Sequence, residues 1–253
     1  MSKTLITIAA TAAALAAGSA LASTPTTTTA SVKHAATPQQ VAANALPAAA
    51  NVAPASDPAA APGSTYAING FRTATFGMTE AEVKAAITRD LGVAADKVST
   101  GSNPMERTSL LVVRASLPPG PGEATISYIF GASSHKLTHV NVAWSTAAAP
   151  TAADRTAIVA AAAQLSSYFK AQPWDPKTAN RTGLIGNGSG LLMFDASDAK
   201  GGNVEVLIEN VPLSRTVNGK TETTDPKGPA VLRVSYDKDV AHPDVFQIKP
   251  GAF

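Results

Sequence analysis

The chain has 253 residues, no cysteine, and 20 Lys+Arg against 18 Asp+Glu. Without a thiol there is no disulfide framework, no thiolate zinc site and no lipid-attachment cysteine. A balance so near neutrality also supplies no concentrated cationic surface for nucleic acid, so the fold must rest on its apolar core.

Residues 1–22 carry one cation, Lys3, before an apolar and small-residue run that closes on Ala20-Leu21-Ala22. This is the layout of a secretory signal peptide with an Ala-x-Ala cleavage site. The expectation is a periplasmic or secreted protein starting at Ser23, with no stable membrane insertion after cleavage. The run is nearly long enough to span a bilayer, which leaves an uncleaved anchor as the other option; its weakly apolar, alanine-rich character favours cleavage. Residues 23–65 are mostly Ala, Pro and Thr, and Lys33, His34 and Asp57 are their only titratable side chains. They hold too few large apolar groups to offset the entropy of ordering and read as a disordered leader.

A first unit is expected over residues 66–148. Thr79 and Glu82 form a capping box, Val83, Ile87 and Leu91 follow on one helical stripe, and Gly92 stands where a helix ends. Strands follow at 109–116, 125–130 and 137–144, and a leading strand is an option at 71–76. In the third strand Val140, Val142 and Trp144 share the face turned to the helix, with His139, Asn141 and Ala143 on the other.

A second unit is expected over residues 149–253. The Thr151 to Asp154 cap opens a helix reaching about residue 171, with Ile158, Ala162, Leu165 and Phe169 as its apolar face, and Trp174 caps the core beneath. Strands are expected at 190–194, 203–210 and 230–236. Residues 213–224 interrupt the last crossing, where Asn218-Gly219 between two Thr-rich runs predicts an inserted hairpin, polar on both faces. Its Arg215, Asn218, Lys220 and Glu222 make it a candidate binding ribbon.

Three local echoes occur in the same order along the two units: the two Thr caps, Arg107-Thr108 against Arg181-Thr182, and residues 130–136 against 194–200. They suggest an internal repeat. The expected fold is α+β: two tandem helix-plus-antiparallel-sheet (αβββ) units behind a disordered leader.

Gly77-Met78-Thr79 with Val83 and Leu91-Gly92, followed by Tyr128-Ile129-Phe130, Leu137-Thr138 and Val140, resembles the small outer-membrane lipoproteins of the β-barrel assembly machinery. The layout is also similar to the β-lactamase inhibitory proteins, in which a helix-plus-sheet unit occurs twice in tandem. Both relatives bind proteins and catalyse nothing, which is what the resemblance implies here. The chain departs from the lipoproteins in lacking a lipobox cysteine and in having two units.

No catalytic, cofactor or metal site is assigned. His135 and His139 are spaced like helical zinc ligands, but in a turn and a strand they stand about 13 Å apart. Asp237, Asp239, His242 and Asp244 form a dense polar cluster whose spacing matches no cation loop. Ser133-x-x-Lys136 and Ser197-x-x-Lys200 spell a serine–lysine nucleophile pair, yet both fall in turns instead of at a helix start. The glycine-rich residues 186–190 lead into a strand and lack the helix dipole that holds phosphate. Phe130, Trp144 and Trp174 could line a ligand cavity or pack as core. The function expected is non-catalytic binding of a protein or cell-envelope component. The alternative is an envelope-directed hydrolase with scattered acid–base residues in a deep pocket.

Overall fold

Both helices begin on reciprocal caps. At α1 (Glu80–Leu91) the Thr79 N–H donates to Glu82 Oε2 at 2.7 Å and the Glu82 N–H returns to Thr79 Oγ1 at 3.4 Å. Gly92 ends it at φ 66°, in the left-handed region that a residue without Cβ adopts freely. At α2 (Ala152–Lys170) Thr151 and Asp154 exchange the same two bonds. The structure is a computed structural model that describes Ile6–Thr7 and residues 66–253 apart from 176, 179–180, 186–188, 218–219, 249–250 and 252–253. The signal and leader expectations therefore lie outside the described residues, Ile6–Thr7 excepted. Among the described residues no helix is long and apolar enough to cross a membrane.

In chain order the strands are β1 (Ile6–Thr7), β2 (Gly70–Phe71), β3 (Ala74–Thr75), β4 (Ser99–Asn103), β5 (Thr108–Ser116), β6 (Glu123–Phe130), β7 (Leu137–Ser145), β8 (Gly183–Ile185), β9 (Gly190–Ser197), β10 (Asn203–Glu209), β11 (Ser214–Val217), β12 (Lys220–Thr223) and β13 (Val231–Asp237). Eight of them make one antiparallel sheet in the order β4-β5-β6-β7-β13-β10-β9-β8. Each half enters at an outer strand and meanders inward, and the two innermost strands, β7 and β13, pair with Val142 opposite Val234. The fold is thus α+β, with two α-helices, one large antiparallel sheet and two small ones among the described residues.

The expected strands are present, and each half holds one more. β4 and β8 escape sequence patterning because Ser-Thr-Gly-Ser-Asn at an exposed edge buries nothing in alternation, and Gly-Leu-Ile is too short to show a period. The segment around residue 71 folds as the small β2–β3 hairpin, outside the main sheet. The echo between residues 130–136 and 194–200 pairs unlike places: Phe130 ends β6, next to the central pair, whereas Phe194 lies on β9, one strand further out. Similar turn chemistry explains such a match, since Ser, Asp and Lys recur in hairpin turns for conformational reasons.

The register sorts side chains between two faces. Val113, Ile126, Val142, Val234, Val206 and Phe194 form one cross-strand row, all of it buried. The helices lie on this side. Phe169 of α2 stacks on Phe194 with centroids 5.9 Å apart and meets Tyr236 edge-on. Glu80 of α1 accepts from Ser109 Oγ at 3.0 Å. Phe130 and Trp144 are packed core, and Trp174 donates its indole N–H to the Phe169 carbonyl at 2.6 Å while packing on Tyr66 and Phe194.

Two irregular segments fasten the ends. In the first, the Ile68 N–H donates to Asp198 Oδ2 at 2.8 Å, and Gly77 and Met78 exchange backbone bonds with Leu137. In the second, Asp244 accepts the N–H groups of Ser133 and Ser134, both at 3.0 Å, and Phe246 bonds back to the Glu106 carbonyl. Replacing Phe194 by Ala is expected to cost about 3–5 kcal/mol in urea unfolding. Met105→Ala, at a side chain 85% exposed, should change stability by no more than about 0.5 kcal/mol.

Candidate functional site

The face of the sheet turned away from the helices carries the candidate site. Period-2 alternation in β7, β13, β10 and β9 sends Asn141, Ser235, Glu205 and Asp195 to this side in one cross-strand row, with Ser127 of β6 continuing it. A second row holds Ile129, His139, Asp237, Asn203 and Ser197. A third holds Thr125, Ala143, Arg233 and Leu207. No helix among the described residues packs on these rows.

The polar groups are partnered chiefly across strands. His139 Nδ1 meets Asp237 Oδ1 over the central pair. Two residue pairs further along, and next on this face, Ser235 Oγ donates to Asn141 Oδ1 at 2.7 Å. Arg233 Nη2 donates to Glu205 Oε1 at 3.2 Å, while its buried Nε has no partner. Asn203 Nδ2 donates to Asp195 Oδ1 at 2.7 Å and to Ser197 Oγ at 3.1 Å, and Arg181 Nε pairs with Asp195 Oδ2 at 2.5 Å. Burial of the His139 ring opposes its charge, but the Asp237 hydrogen bond and charge together with Asn141 outweigh it and raise the histidine pKa. The result is a polar platform whose central groups hold one another in place.

The ribbon is the second feature. β11 and β12 form a two-stranded hairpin with Val217 opposite Lys220, as the Asn-Gly signal predicts, and Ile6–Thr7 pairs with Ser214 and Arg215. Lys220 and Glu222 lie on β12, whose four residues are exposed; Arg215 lies on β11, and Asn218 falls outside the described residues. The base of the insertion is clamped from α2. Arg155 donates to the carbonyls of Asn210, Gly228 (3.0 Å) and Pro226 (3.3 Å).

The other motifs resolve into local structure. Ser133 and Ser134 belong to the turn tied to Asp244, and His135 sits there at φ 53°. Asp198, beside Ser197, accepts the N–H groups of Lys200 and Gly202 as well as Ile68. The C-terminal acidic cluster is dispersed: Asp237 goes to His139, Asp239 bonds Ala241 and His242, and Asp244 goes to the 133–134 turn. Among the described residues no group of three or more His, Asp and Glu is placed to hold a metal ion. Residues 186–188 of the glycine-rich stretch lie outside the described residues. A pocket of about 160 Å³ lined by Pro121, Ser145, Thr146, Ala147, Asp154 and Ala157 contains one titratable group, Asp154. That carboxylate is engaged by the Thr151 cap, whose backbone and hydroxyl bonds lower its pKa.

Of the platform residues, His139 and Asn141 are placed on the correct face by alternation alone. Arg233, Ser235, Glu205 and Asp195 also sit at alternating positions. Their partners lie up to 98 residues away, so only the strand order reveals the cluster.

Two outcomes are expected. Because the folded His139 pKa is raised, its stabilising charge is fully present below about pH 6.5 and is lost as pH climbs through the folded value. In urea melts across pH, Asp237→Asn should flatten that part of the profile, and an unchanged slope would contradict the pairing. Arg155→Lys, which keeps the charge but not the fork, should accelerate amide exchange in β11 and β12 while leaving α2 unchanged. Compared with known protein families, curated proteins and solved structures, the chain matches none.

Proposed function

We propose that the chain is a periplasmic or secreted non-catalytic binding protein, built as two tandem helix-plus-sheet units, that engages a protein or other envelope component through the uncovered sheet face and the ribbon. The observation that carries this is a face of the eight-stranded sheet that no helix among the described residues covers, bearing organised polar rows in which Asn203, Ser235 and Asp195 are buried and His139, Asp237, Glu205 and Arg233 are partly exposed. A face that had only to be wet needs no mutual fixing of His139, Asn141, Glu205 and Arg233. Groups held in one geometry lose less entropy on binding a partner.

The mirrored strand order about β7 and β13, with one capped helix leading each half, supports duplication of a common unit. It does so better than the residue echoes, which align different strands. The clamped ribbon base supports a binding role for the insertion, because loops on a rigid scaffold carry recognition more often than core segments do. Export rests on the N-terminal pattern, and N-terminal sequencing of chain recovered from the cell envelope should read from Ser23.

Binding is tested with two changes made separately: Thr125→Arg with Ser127→Arg on the open face, and deletion of residues 214–224. Each protein should keep its far-UV circular dichroism. Crosslinking in envelope extract should show loss of the wild-type adduct in at least one of the two. If both variants retain the same adducts, neither surface binds.

A further inference from the structure

One edge of the sheet is open in a way that natural sheets ordinarily avoid. β4 is the outermost strand on its side, pairs with β5 alone, and runs in unbroken register from Ser99 opposite Val112 to Asn103 opposite Thr108. It contains Ser99, Thr100, Gly101, Ser102 and Asn103, and all but Asn103 are exposed. Within its five residues it has no lysine, no proline and no bulge, and no strand among the described residues pairs with its outer side. The opposite edge, β8, offers three residues.

We propose that β4 pairs antiparallel with β4 of a second copy of the chain, joining two eight-stranded sheets across a twofold axis. A strand that meets itself antiparallel opposes residues whose numbers have a constant sum. Paired residues also share a face, so continuing both faces of the sheet requires partners of the same parity and an axis that passes through a residue. An axis at Gly101 is the register that pairs all five residues, setting Ser99 against Asn103 and Thr100 against Ser102. At the axis itself a residue opposes its own copy, and glycine presents no side chain there. Gly101 already lies against Leu110, whose side chain is 3.4 Å from where a Cβ would stand.

The surroundings fit the same occupant. The chain leaving β4 carries Met105, the most exposed of the large hydrophobic side chains among the described residues at 85%. In the paired arrangement it runs alongside the second copy's turn at Ala95–Lys97. There the Lys97 stem can cover the thioether; its ion pair with Asp96 is exposed at both ends and easily rearranged. The strand's lack of charge means that nothing repels its copy. With five residues on each side the interface is small, so the dimer is weak and concentration-dependent.

Sedimentation equilibrium of the full chain over rising concentration tests this. The wild type should shift from monomer toward dimer. T100K/S102K sets lysine opposite lysine twice and should weaken association by at least about tenfold. T100E/S102K sets each glutamate opposite the second copy's lysine and should restore it. Amide exchange of residues 99–103 in the unmodified protein should slow as concentration rises, a readout that requires no variant to fold. A wild type that stays monomeric with unchanged exchange, a T100K/S102K protein that still dimerises, or a folded T100E/S102K protein that does not recover would each overturn the proposal.

Discussion

The pairing of β7 with β13 is the constraint from which the rest of the structure follows. Seven residue pairs, from Val231 with Ser145 to Asp237 with His139, join the two halves. Because side chains alternate with a period of two, a slip of one residue here would invert one half against the other. Val142 and Val234 would no longer share a face, and the continuous row from Val113 to Phe194 would be cut in the middle. The core beneath both helices is one core only because this register is kept.

The same pairing explains why the uncovered face is polar without being loose. His139 with Asp237 and Asn141 with Ser235 are direct cross-strand neighbours at the centre, and Arg233 reaches diagonally to Glu205 on the next strand. A half-buried polar group without a partner is costly, so each bond made across the pair also opposes slippage. The apolar row on one side and the polar bonds on the other thus select the same register. In the binding role proposed above the same polar groups face the partner, and the groups that stabilise the sheet are those that shape its surface.

Outside the sheet, the connections are held by single well-placed side chains. Asp198 joins the distant Ile68 N–H to the N–H groups of its own turn, Asp244 gathers those of the distant 133–134 turn, and Arg155 gathers carbonyls from both sides of the ribbon insertion. With no cysteine in the chain, charge-assisted bonds of this kind perform the fastening that disulfides provide elsewhere. They leave the ribbon anchored at its base.

Local chemistry by itself determined a good deal of this protein. Thr79 with Glu82, Thr151 with Asp154, Gly92, and the Asn-Gly hairpin act within a few residues, so helix starts, one helix end and the ribbon are readable without any tertiary information. Alternation in residues 137–144 placed His139 and Asn141 opposite Val140 and Val142, because one buried face imprints its period on the strand. What tertiary structure alone decided is which strands meet. β4 and β8 are edge strands with too little buried surface to imprint any pattern, the mirrored order of the two halves has no local signature, and the bonds from His139 to Asp237 and from Asn141 to Ser235 join residues that are neighbours only because two separate meanders end side by side.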